Sequence, residues 1–450
     1  MRVKSLTGSL FVILLFVSVC LSQAQEVGGL DMQMVAMEQL GLTGGGFTWI
    51  DGTPYFRTQL QPETTFGKIG IGLDLVLLLG NVANEETGEN EFKVLAENGE
   101  EWNSLSNYLR ALRFVRYGQP AEPFYAHFGA FDYVTIGHGF IMSGYSNHDR
   151  RGLRLNARLQ NKFGIETIIN DMGSPSVLGG RVYYRPLGRF ELGGTYLTDP
   201  NPDLDLDNDP KTDEDPLVAM GVDAGISIVS SDTLQVDLYN DLVFLNTKVG
   251  PNGETELAQG NSTGIGLSAF KSIFKLEYRI LGEKFLPTIF DHNYDVSAPT
   301  FLGLDEKKDG VSRNGFYSLI TSHILPKVNL IGTFESYSDS DPKMYLGVSE
   351  DGLIDKLSLR AFYTKRNIGQ KYIDNDGKEV DPDFFEDIAR LDEKSAFTVR
   401  LGYEIISAGI PLEFGIIHQY TFQQTVDDDG EKSFKPIKTT SFEIGVKLDF

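Results

Sequence analysis

The sequence predicts an all-β protein, a transmembrane antiparallel up-and-down β-barrel of roughly eighteen strands, with sixteen as the fallback. Three observations predict it. From Phe66 to Phe450 strand-length segments alternate apolar with polar or charged residues. The connections between them alternate tight and long. No run of about 20 apolar residues follows the first two dozen positions, which removes an α-helical span but not a barrel, whose strands are apolar only at every second residue.

Taken in order, Met1–Ala24 reads as a secretory signal peptide. Arg2 and Lys4 precede an apolar core from Leu10 to Val19, and Ser22-Gln23-Ala24 supplies a small-residue cleavage site. The only cysteine, Cys20, lies in this leader, so the mature chain is expected to have no disulfide, thiolate metal site or cysteine nucleophile. Residues 25–65 do not alternate cleanly. Asp31–Leu40 suggests a short helix, and the segment is expected to be a periplasmic or luminal unit ahead of a barrel over 66–450.

From Phe66 onward each strand has an apolar face. Ile69, Ile71, Leu73, Leu75 and Leu77 form the first. Leu153, Leu155, Ala157 and Leu159 then oppose Arg154, Asn156, Arg158 and Gln160. Val218, Met220, Val222, Ala224, Ile226 and Ile228 oppose Gly221, Asp223, Gly225 and Ser227. Leu234, Val236, Leu238, Leu242 and Phe244 continue the series, followed by Phe274, Leu276, Tyr278 and Ile280 against Lys275, Glu277 and Arg279. Phe397, Val399, Leu401, Tyr403 and Ile405 are set against Thr398, Arg400, Gly402 and Glu404, and Leu412, Phe414, Ile416, Tyr420 and Phe422 follow. Successive strand side chains point to opposite faces, so each segment has one greasy and one wet side. Tight connections are expected near 186–189, 230–233, 325–327, 350–353 and 407–411. Long ones are expected at 80–107, 132–150, 199–216, 284–313 and 367–394.

The final segment, Thr439–Phe450, alternates strictly: Thr440, Phe442, Ile444, Val446, Leu448 and Phe450 on one face, Ser441, Glu443, Gly445, Lys447 and Asp449 on the other. It resembles the C-terminal strand of Gram-negative outer-membrane β-barrels, which typically ends in Phe. The resemblance implies that Phe442, Ile444, Val446, Leu448 and Phe450 are a barrel-closure signal read by the barrel-assembly machinery, and that the protein resides in the outer membrane. It also implies short periplasmic turns, long extracellular loops, contact with lipopolysaccharide and a homo-oligomer such as a trimer.

The formal charge is −23, and loss of Arg2 and Lys4 with the leader makes it −25. Such a chain repels nucleic acid. The acids gather in the long loops. Asp203, Asp205, Asp207 and Asp209 alternate in a spacing that converges on a hard cation such as calcium, although the glycine and distant Glu of an EF-hand are missing. Asp374–Gly377 and Asp427–Gly430 read as hairpin turns. No other cofactor is expected.

The lumen candidates are the charged residues of the second face: Asp74, Arg154, Arg158, Arg181, Arg185, Asp223, Asp237, Glu277, Arg279, Arg360, Arg400, Glu404, Glu413 and Glu443. Facing lipid, an Arg or Lys costs about 2–4 kcal/mol at the midplane, so this face turns inward. There it forms either a selectivity constriction or a salt-bridge lattice that fills a narrow barrel. Phe124, Tyr125, Phe128, Phe131, Tyr133, Tyr183 and Tyr184 suggest an interfacial girdle.

No enzyme is expected. His127, His138 and His148 lack zinc-site spacing, no Gly-x-Ser-x-Gly elbow occurs, and Gly70-x-Gly72 and Gly137-x-Gly139 lack the helix of a nucleotide loop. The expected function is passive diffusion of small hydrophilic solutes through a charged lumen. The alternatives are a gated carrier for a bulkier or apolar solute, with residues 25–62 as a hatch, a scaffold or adhesin displaying acidic loops, and a secreted β-sandwich.

Overall fold

The computed structural model describes residues 42–447 apart from short stretches, the longest of them 203–215 and 295–311. Twenty-three strand segments form one antiparallel sheet among the described residues. Three pairs of segments occupy one barrel position each, which leaves twenty barrel strands. The first four are β1 (Leu42–Ile50), β2 (Thr53–Leu60 continued by Glu63–Phe66), β3 (Ile69–Leu73 continued by Leu75–Ala83) and β4 (Asn90–Leu95 and Leu112–Tyr117). Then come β5 (Phe124–Gly129), β6 (Gly152–Leu159), β7 (Phe163–Ile169), β8 (Leu178–Tyr184), β9 (Phe190–Asp199), β10 (Leu217–Ser230), β11 (Leu234–Lys248) and β12 (Thr255–Ala269). The last eight are β13 (Ser272–Leu281), β14 (Arg313–Leu325), β15 (Val328–Tyr337), β16 (Ser340–Asp351), β17 (Leu357–Lys365), β18 (Ser395–Ser407), β19 (Ile410–Val426) and β20 (Lys432–Lys447).

Each strand pairs with its sequence neighbours, and β1 pairs antiparallel with β20, Leu42 opposite Lys447 and Gly45 opposite Ile444. The sheet returns to its own start. Closure leaves no unpaired edge, as backbone in hydrocarbon requires. Of the closure residues, Ile444 and Val446 sit in this β1 pairing, Phe442 pairs with Ile416 of β19, and Leu448 and Phe450 lie outside the described residues.

Eighteen strands follow Phe66, as the periodicity predicts, but the N-terminal segment adds two more. The expected boundary at 65/66 is therefore corrected, because β1 and β2 form a hairpin with Phe47 opposite Phe56 and are staves of the wall. Their irregular sequence, with Gly44-Gly45-Gly46 in β1, hid the period of two. The expected helix over 31–40 lies outside the described residues.

The side-chain pattern is inverted relative to a water-soluble protein. Val222, Leu159, Val182, Ile280 and Tyr403 are more than 45% exposed on the outer face. Asp223, Arg181, Lys275, Glu277 and Arg279 are buried on the inner one. An apolar belt round a charged interior is stable only where the outer solvent is lipid. The chain is a transmembrane β-barrel.

Connections alternate as expected. Phe270 and Lys271 join β12 to β13 with both φ positive, the two-residue hairpin turn that matches strand twist. Two long connections depart from prediction. The one expected over 80–107 is shorter at its start, since β3 runs to Ala83 and β4 begins at Asn90. The one over 132–150 is not a surface loop but carries a hairpin folded into the barrel. Its strands, Val134–Ile136 and Met142–Tyr145, pair antiparallel.

Candidate functional site: a charged lumen closed on one side by an inward hairpin

The hairpin folds inward because its residues are apolar. Phe131, Val134, Ile136, Phe140, Ile141, Met142 and Tyr145 are all buried, in one cluster with Ile168, Leu197, Leu217, Ala219, Val243, Leu245 and Ala258 of the wall. Those wall residues occupy the inner face, where the sequence alternation predicts polar groups. A second connection joins the cluster through Phe285, Ile289, Phe290 and Tyr294. It adds backbone bonds to the hairpin: Thr288 N–H donates to Phe140 O (2.8 Å) and Phe290 N–H to Ile141 O (3.2 Å). At the hairpin base, Asn147 is fully buried, accepts from Phe131 N–H at 2.5 Å and donates to Asn170 O at 2.7 Å.

The tip meets a charged part of the wall. Gly137 N–H donates to Glu166 Oε2 at 3.1 Å. His138 stacks on Tyr239, centroids 4.2 Å apart and planes 18° apart, with Nδ1 3.0 Å from Asp241 Oδ1. Lys275 Nζ donates to His138 O. The ring lies against Gly225, where a Cβ would be in ordinary contact with His138 Nε2 at 3.4 Å.

Two ionic groups flank the tip. Arg181 grips Asp223 in bidentate fashion (Nε–Oδ2 2.9 Å, Nη2–Oδ1 2.6 Å) and reaches Glu191 at 2.5 Å, which also holds Arg185 at 2.6 Å. Tyr183 lies under both guanidinium groups, at 4.8 and 5.1 Å. In the second group Glu277 takes Lys275 Nζ at 2.6 Å, Arg279 Nη2 at 2.6 Å and Tyr239 O–H at 2.9 Å. Arg279 lies over Tyr317 at 3.9 Å and donates to Tyr337 O–H at 3.2 Å. A cavity of about 520 Å³ opens beneath the tip toward the short turns. His138, Arg158, Arg181, Arg185, Glu191 and Asp237 are among its lining residues.

The structure thus brings Arg181, Arg185, Asp223, Glu277 and Arg279 together round the hairpin. Arg158 and Asp237 line the cavity, Asp237 accepting from Ser227 at 2.5 Å and Gln235 at 2.7 Å. Arg154 faces the same side with its guanidinium 5.7 Å from the Tyr125 ring. Asp74, Arg360, Arg400 and Glu404 stand on β3, β17 and β18, half-buried and apart from the two ionic groups. Arg360 and Arg400 are register partners, and Arg400 reaches Ser358 at 3.3 Å. Glu413 and Glu443 lie in β19 and β20, and of these two residues the backbone alone is described. Asp203, Asp205, Asp207 and Asp209 fall outside the described residues, as do His148 and Tyr133.

Of the girdle aromatics, Phe124 and Tyr184 are exposed on the outer face. The expectation is corrected for Tyr125 and Tyr183, which face the lumen, and for Phe131, which is buried with the hairpin. Neutral aromatic rings in the lumen support cations by stacking, a role that alternation alone does not separate from an interfacial one. Sequence reasoning missed His138, Tyr239, Asp241 and Lys275 as site residues. The available signal was the loop itself, because residues 134–147 carry no acid and six large apolar side chains, unlike the other long loops.

No family model and no curated protein matches the sequence. Among solved structures the chain is similar to the siderophore receptor PiuA from Acinetobacter baumannii, with 12% identity, a TM-score of 0.35, and coverage of 89% of this chain and 74% of that one. It is also similar to OccK5 (OpdH) from Pseudomonas aeruginosa, with 10% identity, a TM-score of 0.30, and coverage of 88% and 90%. For BauA, the ferric preacinetobactin receptor of A. baumannii, the values are 10%, 0.37, 90% and 79%. Overlap at this level equates no residue of this chain with a residue of theirs, and the chemistry that follows rests on the lumen described above.

Proposed function

We propose that the protein is an outer-membrane channel for passive diffusion of small hydrophilic solutes, narrowed by the hairpin of residues 134–145. The observation that carries this reading is the inward-facing charge: Arg181, Asp223, Lys275, Glu277 and Arg279 lie inside a ring whose outer face is apolar. Barrels of this many strands are wide enough for a water-filled bore, and charged walls keep solutes hydrated while setting the local field. The hairpin and the segment round Phe285–Tyr294 occupy one side of that bore, which limits the solutes to small ones.

The test is reconstitution of the purified, heat-modifiable barrel into planar bilayers. Discrete conductance steps are the expected result, and a correctly folded barrel that conducts nothing overturns the reading. In the alternative reading, a gated carrier, the hatch is confined to the part of residues 25–62 ahead of residue 42, because residues 42–50 and 53–60 are wall strands. Deleting 42–66 is expected to abolish folding instead of raising conductance.

A further inference from the structure

We propose that His138 and Asp241 form a charged latch that seats the hairpin tip on the lumen wall, and that raising the pH releases the tip and widens the passage. The conductance part rests on the channel reading, whereas the movement of the tip does not.

The tip is held by bonds of two kinds. The donation from Gly137 to Glu166, the donation from Lys275 to His138 O, the backbone bonds from Thr288 and Phe290 to Phe140 O and Ile141 O, and the packing of Phe140 and Ile141 with Phe285 do not change charge near neutral pH. The contact between His138 and Asp241 does. Asp241 is 6% exposed, and its Oδ2 is buried with no hydrogen-bond partner. His138 Nδ1 is therefore the side-chain donor that its carboxylate receives. Losing the imidazolium charge leaves a buried carboxylate on one neutral hydrogen bond, which is costly in a site that excludes water.

Every element packed round the ring contributes to the balance. Asp241 and Tyr239 face it from β11, Asp223 from β10, Lys275 and Glu277 from β13, Glu166 from β7 and Arg181 from β8. Burial pushes the imidazolium down. The charge of Asp241, its hydrogen bond and then Asp223 push it up, against Arg181, and the upward push prevails over the ordinary 6.5. A group raised on folding contributes fully below its ordinary value, and the contribution disappears as pH climbs through the folded one. The hairpin is accordingly seated in mild acid and freed in mild alkali.

The experiment places a thiol at the tip, Ile141→Cys, where the native side chain is 6% exposed. Maleimide labelling of the leaderless, folded barrel is measured from about pH 5.5 to 9 and normalised to the same chain unfolded in denaturant, which removes the pH dependence of the thiol itself. The normalised rate is expected to rise at least about tenfold across the range. In His138→Gln, which keeps a donor without the charge, it is expected to be high and flat. In His127→Gln, outside the tip, it is expected to follow the parent profile. Heat-modifiable migration confirms that each variant is folded. A flat profile in the parent, or a profile that survives His138→Gln, overturns the latch. In bilayers the same rise is expected in conductance; labelling that rises without any conductance upholds the latch and removes the channel.

Discussion

Glu277 is a carboxylate with no exposed surface that bonds Lys275, Arg279 and Tyr239 at once. Its removal strands Lys275 and Arg279, which pair with no other carboxylate among the described residues. Breaking a buried pair by truncating one partner costs about 3–5 kcal/mol, whereas replacing both partners by apolar residues is often nearly neutral. Glu277→Gln is therefore expected to lower the denaturant midpoint sharply, and Glu277→Leu with Arg279→Met and Lys275→Met to recover much of it, read by urea titration of heat-modifiability. Gly137 has φ of +59° and would place a Cβ 3.0 Å from Arg181 Cδ. Gly137→Ala is expected to cost about 1 kcal/mol and to raise labelling of the hairpin tip at every pH.

Among elements, the long connection after β17 carries its own clasp. The short helix α1 (Phe384–Ala389) begins at Asp383, whose side chain accepts from Phe385 N–H at 3.0 Å. It docks on the end of β17 through Lys365, which is fully buried and bonds Asp392 Oδ1 at 2.7 Å and Arg390 O at 2.9 Å. Arg390 closes the group on Asp387 at 2.6 Å. Burial pushes the Asp392 carboxyl up, but the hydrogen bond from Lys365, the Lys394 backbone N–H and the charges of Lys365 and Arg390 bring it below its ordinary 3.8. A group lowered on folding contributes above its ordinary value and loses that contribution as pH falls through the folded one. Limited proteolysis within 367–394 is expected to stay slow from neutral pH down to about pH 4 and to quicken below it. Lys365→Met is expected to quicken it at neutral pH.

For the whole molecule the decisive quantity is which face of each strand meets lipid. Val222 is 57% exposed on β10, and Asp223 beside it is buried in the lumen. Val222→Arg is expected to cost about 2–4 kcal/mol of folding stability in lipid vesicles, the value for a midplane cation. Ser227→Arg, at a half-buried inner-face position that lines the cavity beside Asp237, is expected to cost far less, because such lumen positions stay in contact with water and acids.

How far the sequence reached follows from what repeats locally. The alternation of Leu153 to Leu159, Met220 to Ile228 and Phe274 to Ile280 repeats every two residues, so the strands, their inner and outer faces and most turns were legible without coordinates. The inward direction of Arg181, Glu277 and Arg279 was legible for the same reason. Strands β1 and β2 were not, because Gly44-Gly45-Gly46 and Pro54 interrupt the pattern that burial in a closed ring nevertheless supports. Nor was the union of His138 with Asp241, which lie 103 residues apart. Local period fixes which side of a strand is wet. Which wet residues meet depends on the register of distant strands and on one apolar loop that buries itself against the inner wall.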